Sequence, residues 1–202
     1  MTNVVTDPRP LYLRATEQAA ALIRTVRPED LTLPTPCTEF DVRGLLGHIV
    51  GGTRRIAVVG EGGDGLAVDP TTEGVEDDGW AAAYDEVRAR AVKAWESDER
   101  MTAAVRVPWG EVPGQAALSG YVMEIVTHTW DLVEALGHSR GPALELDPEL
   151  ARFALATARR VLPDSRPRGE DTPFDPRQDC PQDATSYDQL AAWLGRTPLN
   201  RP

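Results

Sequence analysis

With 202 residues, 41% of them apolar, the chain can bury one sizeable core, either as one domain or as one domain with an appendage. Its formal net charge of −11 opposes binding to nucleic acid or anionic lipid, whose phosphates require clustered cations. No run is apolar for long enough to span a bilayer, and "MTNVVTDPRP" lacks the basic and then apolar character of a secretory signal, so a soluble cytoplasmic protein without a membrane partner is expected.

Of 21 basic residues only Lys93 is lysine, a bias that fits GC-rich codon usage better than any chemical demand. Cys37 and Cys180 lie far apart with no C-x-x-C spacing, which excludes a zinc knuckle and a thioredoxin motif. They are expected as structural thiols in a reducing compartment, with a catalytic thiol or a bridge between them as the alternatives.

Along the chain the pattern is helical. Asp7-Pro8 pairs an N-cap with the proline favoured at a first helical position, and Leu11, Ala15, Ala19, Leu22, Ile23 and Val26 follow as one stripe. Thr38 and Asp41 have capping-box spacing, with the acid in its shorter form, and open a second helix through Leu45, Leu46, Ile49 and Val50 toward Val59. The glycine-rich, acidic stretch 60–79 has no period and is expected to be a long mobile loop. Its "DPTTEG" fragment faintly suggests a calcium loop, but Trp80 stands where a bidentate glutamate is required, which excludes that reading. Trp80, Tyr84, Val87, Ala91 and Trp95 form the core stripe of a third helix. Residues 103–117 alternate and then carry Pro-Trp-Gly and Pro-Gly, which fits a small hairpin or an irregular crossover. A fourth helix, "SGYVMEIVTHTWDLVEALG", ends at Gly137, and Asp147-Pro148 starts a fifth that runs to Pro163. A capping pair, Thr185 and Asp188, opens a last short helix whose Tyr187, Leu190, Ala191 and Leu194 should lie across the bundle.

The fourth helix carries the chemistry. Tyr121, Glu124, His128 and Asp131 project within about 80° of one another at 100° per residue, forming one polar stripe between apolar flanks. Spacing alone leaves two readings of Glu124 and His128 open: an exposed i, i+4 pair worth about 0.2–0.5 kcal/mol, or half of a metal site. His48 bears on the choice, because it sits mid-helix among glycines at 47, 51 and 52 that each cost about 1 kcal/mol of helix propensity. Those glycines make room either for a tightly packed neighbour or for a ligand reaching a metal. Two histidines and a carboxylate from facing helices would supply three ligands and leave coordination positions open.

"TPCTEFDVRGLLGHIVGG", "VPWGEVPG", "EIVTHTWDLVEALG" and "LAAWLGRTP", in this order over nearly the whole chain, resemble the actinobacterial metal-binding proteins of the DinB-like superfamily. These are related to the N-terminal domain of mycothiol-dependent maleylpyruvate isomerase. The resemblance implies a mainly α, DinB-like four-helix bundle in a single domain over 1–202, with a bundle core at about 8–137 and a C-terminal helix and tail at 138–202 packed on it. It also implies a divalent metal, usually zinc, with nickel, manganese or iron as alternatives, held by His48, Glu124 and His128. Many members have histidine where this chain has Glu124; glutamate there is similar to the isomerase pattern. The isomerase's long C-terminal domain has no counterpart in these motifs, so its substrate specificity is not implied.

Characterised relatives often use a low-molecular-weight thiol such as mycothiol as co-substrate, and members often form homodimers. Three functions stay open on this resemblance: thiol transfer to, or thiol-assisted isomerisation of, a small electrophile; thiol-independent metal chemistry such as hydrolysis, elimination or cyclisation; and a non-catalytic metal-binding module. Asp131 is a candidate acceptor that fixes a ligand tautomer or else a surface acid, and Tyr121 a candidate donor to substrate. Arg55, on the face of His48, is a candidate contact to a carboxylate or sugar-linked cofactor, against the plainer reading of a solvated arginine. His138 is expected as a C-terminal cap or surface residue.

Overall fold

The first helix begins where Asp7 Oδ1 accepts from the Arg9 backbone N–H, and Pro8 enters with its fixed φ. In the computed structural model, which describes residues 7–137, 145–164, 168 and 174–199, this helix is α1 (Arg9–Ile23). There follow α2 (Val42–Gly60), α3 (Trp80–Ala94), a short α4 (Asp98–Thr102), strands β1 (Ala104–Val107) and β2 (Gly110–Pro113), α5 (Gly114–Leu136), α6 (Pro148–Val161) and α7 (Ser186–Trp193). The fold is thus mainly α, with one small antiparallel hairpin.

Helices α1, α2, α3 and α5 make the four-helix bundle, α1 lying against α5 and α3, and α2 against α3 and α5. Tyr12, Leu45, Leu46, Ile56, Tyr84, Trp95, Leu118 and Leu132 fill it. Trp95 donates its indole N–H to the Ile56 carbonyl at 3.0 Å, and Gly60 admits the ring, since a Cβ there would stand 2.7 Å from that nitrogen. Helix α6 packs on α5, and α7 covers α6 and α5 with Tyr187, Leu190, Ala191 and Leu194, all buried. Helix α5 therefore has neighbours on most sides, and the buried part of its polar stripe must find partners inside the protein. No helix among the described residues is long and apolar enough to cross a membrane.

Several sequence expectations change. The N-cap of α2 is Asp41, whose Oδ1 accepts from Gly44 N at 2.8 Å; Thr38 lies upstream of the cap and takes no part in it. Helix α5 starts at Gly114, one turn earlier than its apolar periodicity suggests, because the hairpin feeds straight into it. Ser97 caps α4 by accepting from Arg100 N, a single turn too short to show a period. The stretch 60–79 is not a free loop. Its 3₁₀ turn (Gly65–Ala67) leads to a segment pinned on α2: Thr72 N donates to the Gly47 carbonyl, and Arg55 donates to the Val68 carbonyl. Gly47 and Gly51 exist for this segment, since a Cβ at either would lie 2.6–2.7 Å from the backbone of residues 70–72.

Candidate metal centre

Facing turns of α2 and α5 bring His48, Glu124 and His128 together. His48 Nε2 lies 3.1 Å and His128 Nε2 3.3 Å from the same oxygen, Glu124 Oε1, and the three donor atoms all fall within 4.8 Å of one another. The site grades from the surface inward: the Glu124 side chain is 34% exposed, His48 19% and His128 6%. Phe40 stacks on the His48 ring at 5.2 Å between centroids and 24° between planes, and the two imidazoles meet edge to face at 4.8 Å.

Burial works against the Glu124 carboxylate, but the hydrogen bonds to His128 and then His48 outweigh it and hold the group well below the ordinary carboxylate range. His128 is likewise opposed by burial, yet Asp131 on one ring nitrogen and Glu124 on the other raise it to about 9. Asp131 is fully buried, and its Oδ2 accepts from His128 Nδ1 at 3.0 Å. That bond reserves Nε2 for the shared corner.

A divalent metal fits this donor set. Two ligands about 2.0–2.1 Å from one tetrahedral zinc stand about 3.3 Å apart, close to the separation both histidine–glutamate pairs already have. The chemistry matches too: two borderline nitrogen donors, one carboxylate, and an outer carboxylate on the ring nitrogen that faces away.

The remaining sequence candidates divide. Tyr121, one turn before Glu124, is buried between Trp95 and Trp109, and its hydroxyl has no hydrogen-bond partner among the described residues. Trp109, at the hairpin tip, is 53% exposed and lies on Gly120, where a Cβ would meet its ring at 2.9 Å. Arg55 spends two nitrogens on the Val68 carbonyl, at 3.1 and 2.7 Å, so it serves the pinned segment rather than standing free in solvent. Cys37 is buried and Cys180 half-buried, and both are free thiols; burial pushes Cys37 up to about 11. His138 lies outside the described residues. Phe40 and Arg196 fall within the "TPCTEF" and "LAAWLGRTP" stretches, but no spacing or cap singles either out as part of the site.

A helical bundle holding a two-histidine, one-glutamate cluster is the class that fold and site define. The mycothiol maleylpyruvate isomerase N-terminal domain family matches residues 12–133, more than half of the chain and a span that contains all three clustered residues. The chain belongs to this family, within the DinB-like superfamily. Two Mycobacterium tuberculosis proteins, Rv0738 of strain H37Rv and MT0763 of strain CDC 1551, both described as uncharacterized, are each 37% identical over 191 residues, covering 95% of this chain and 98% of theirs. The crystal structure of the mycothiol-dependent maleylpyruvate isomerase shares the fold, with a TM-score of 0.56 at 15% identity over 76% of this chain and 67% of that one.

Proposed function

We propose that this protein is a divalent-metal-dependent enzyme that uses a low-molecular-weight thiol, mycothiol in the family's type, to transfer to or isomerise a small electrophilic molecule. The observation that carries the reading is the convergence of two imidazole Nε2 atoms on one oxygen of Glu124. His48, Glu124 and His128 would hold the metal, with zinc best suited to this donor set. A bound divalent cation supplies Lewis acidity that lowers the pKa of a thiol reaching it. Three protein ligands leave a position open, and the exposure of Glu124 favours a centre that reactants enter over one that only braces the bundle. Tyr121 supports the chemistry with a hydroxyl, one turn from Glu124 and unpartnered among the described residues, that is suited to donate to a substrate oxygen, and Trp109 supplies an aromatic wall beside it.

Purified protein is expected to carry about one equivalent of zinc or a related metal, as a single such cluster would. His48→Ala should lose it, and full occupancy in that variant would refute the site. Mycothiol or a simple thiol added to cobalt-substituted protein should produce a sulfur-to-cobalt charge-transfer band. An unchanged spectrum would remove the thiol from the proposal and leave metal chemistry without it.

A further inference from the structure

We infer that Arg196, far from the cluster in sequence and in the tail behind α7, is a positioning residue for both histidines of the proposed metal centre; the inference rests on the metal-binding reading above. Arg196 is 7% exposed, unusual for arginine. Its backbone N–H donates to the Ala191 carbonyl at 2.9 Å, so the docking of α7 on α5 and α6 fixes where its side chain enters the protein.

The guanidinium then reaches two elements. Nε stands 3.3 Å from Asp131 Oδ1 as an ion pair, and both atoms are buried with no hydrogen-bond partner among the described residues. The second oxygen of the same carboxylate accepts from His128 Nδ1. Arg196 thus supplies the counter-charge beside the buried carboxylate that orients His128. Nη2 donates to Cys37 Sγ at 3.3 Å. The Cys37 carbonyl in turn accepts from Thr35 Oγ1 and from Phe40 N, both at 2.9 Å, closing the turn that places Phe40 against the His48 ring. The "TPCTEF", "HTWD" and "LGRTP" stretches meet on this one side chain.

The sign of the effect separates positioning from bulk electrostatics. Removing a cation near a cation site should tighten metal binding if charge were all that mattered, whereas losing the orientation of both imidazoles should loosen it. Zinc affinity measured by chelator competition on the full chain should fall roughly 10–100-fold in Arg196→Met, with helix content of the metal-free protein unchanged. In an Asp131→Asn background the same substitution should cost less than it does in the wild type, because both act on His128 through one carboxylate. Unchanged or tighter zinc binding in Arg196→Met, or fully additive losses in the double variant, would overturn the inference. If Arg196→Met does not fold, Arg196→Gln is held to the same outcomes. Wild-type protein that binds no zinc would bring down the metal reading itself, whereas wild-type binding with unaffected Arg196 variants would bring down this inference alone.

Discussion

Adjacent glycines of α2 should respond in opposite ways to one methyl group. A Cβ at Gly51 would stand 2.6 Å from the backbone of Pro70 and Thr71, whereas one at Gly52 would meet nothing within 4 Å. Gly51→Ala should therefore destabilise the protein by about 1–3 kcal/mol, since backbone cannot give way as a flexible side chain can. Gly52→Ala should be neutral to stabilising by up to about 1 kcal/mol, the helix propensity that glycine forfeits. Urea unfolding of the two metal-free variants checks the pair, and equal midpoints would mean that the 70–72 segment does not lie on α2 in solution. Asp131 teaches the same lesson for a charged group: one turn from His128 it has the spacing of a surface acid, yet it is fully buried with histidine on one oxygen and arginine near the other.

Helix α6 is held at its first turn. Asp147 caps it by accepting from Glu149 N, receives Arg14 from α1 on its carboxylate, and gives its own N–H to Gln18 Oε1 at 2.7 Å. Burial pushes the Asp147 carboxyl up, but Arg14 and the cap bond outweigh it and leave the group below its ordinary value. A depressed carboxyl stabilises the fold above the unfolded-state value and loses that contribution as pH falls through the folded one. Wild-type protein should therefore lose more stability between about pH 5 and about pH 3 than Asp147→Asn, which keeps a capping oxygen without the charge. Thermal midpoints across that range test it; parallel curves would show that the Arg14 pair contributes nothing. Asp147→Ala, losing cap and pair together, should cost about 0.5–2 kcal/mol at neutral pH.

The tail behind α7 behaves as part of the core. Leu190 and Leu194 are 1% and 0% exposed, so Leu194→Ala should cost about 2–5 kcal/mol, the usual cost of truncating a fully buried leucine. Because Arg196 enters the protein two residues later, the same substitution should also weaken zinc binding, a joint loss that calorimetric unfolding with and without metal would register. A drop in stability with zinc affinity intact would show that Arg196 keeps its place without α7 packing.

Spacing left Glu124 and His128 open between a surface pair and a metal site until the family resemblance implied their grouping with His48, and it left 103–117 open between a hairpin and a crossover. Local periodicity and residue chemistry were enough to read the stripes of α1, α2, α3 and α5 and the caps at Asp147 and Thr185. Such signals repeat every two to four residues and need no knowledge of what lies across the bundle. Tertiary structure alone decided what covers each face: that Gly47 and Gly51 accommodate the backbone of 70–72 instead of making room for a ligand, that Arg55 is committed to Val68, and that Asp131 is buried. It also placed Phe40 on the His48 ring and Arg196 beside the Asp131 carboxylate that holds His128, residues 156 positions apart by numbering. The physical reason is that burial and counter-charge belong to pairs of surfaces brought together by the fold, and no spacing along one chain segment records its partner.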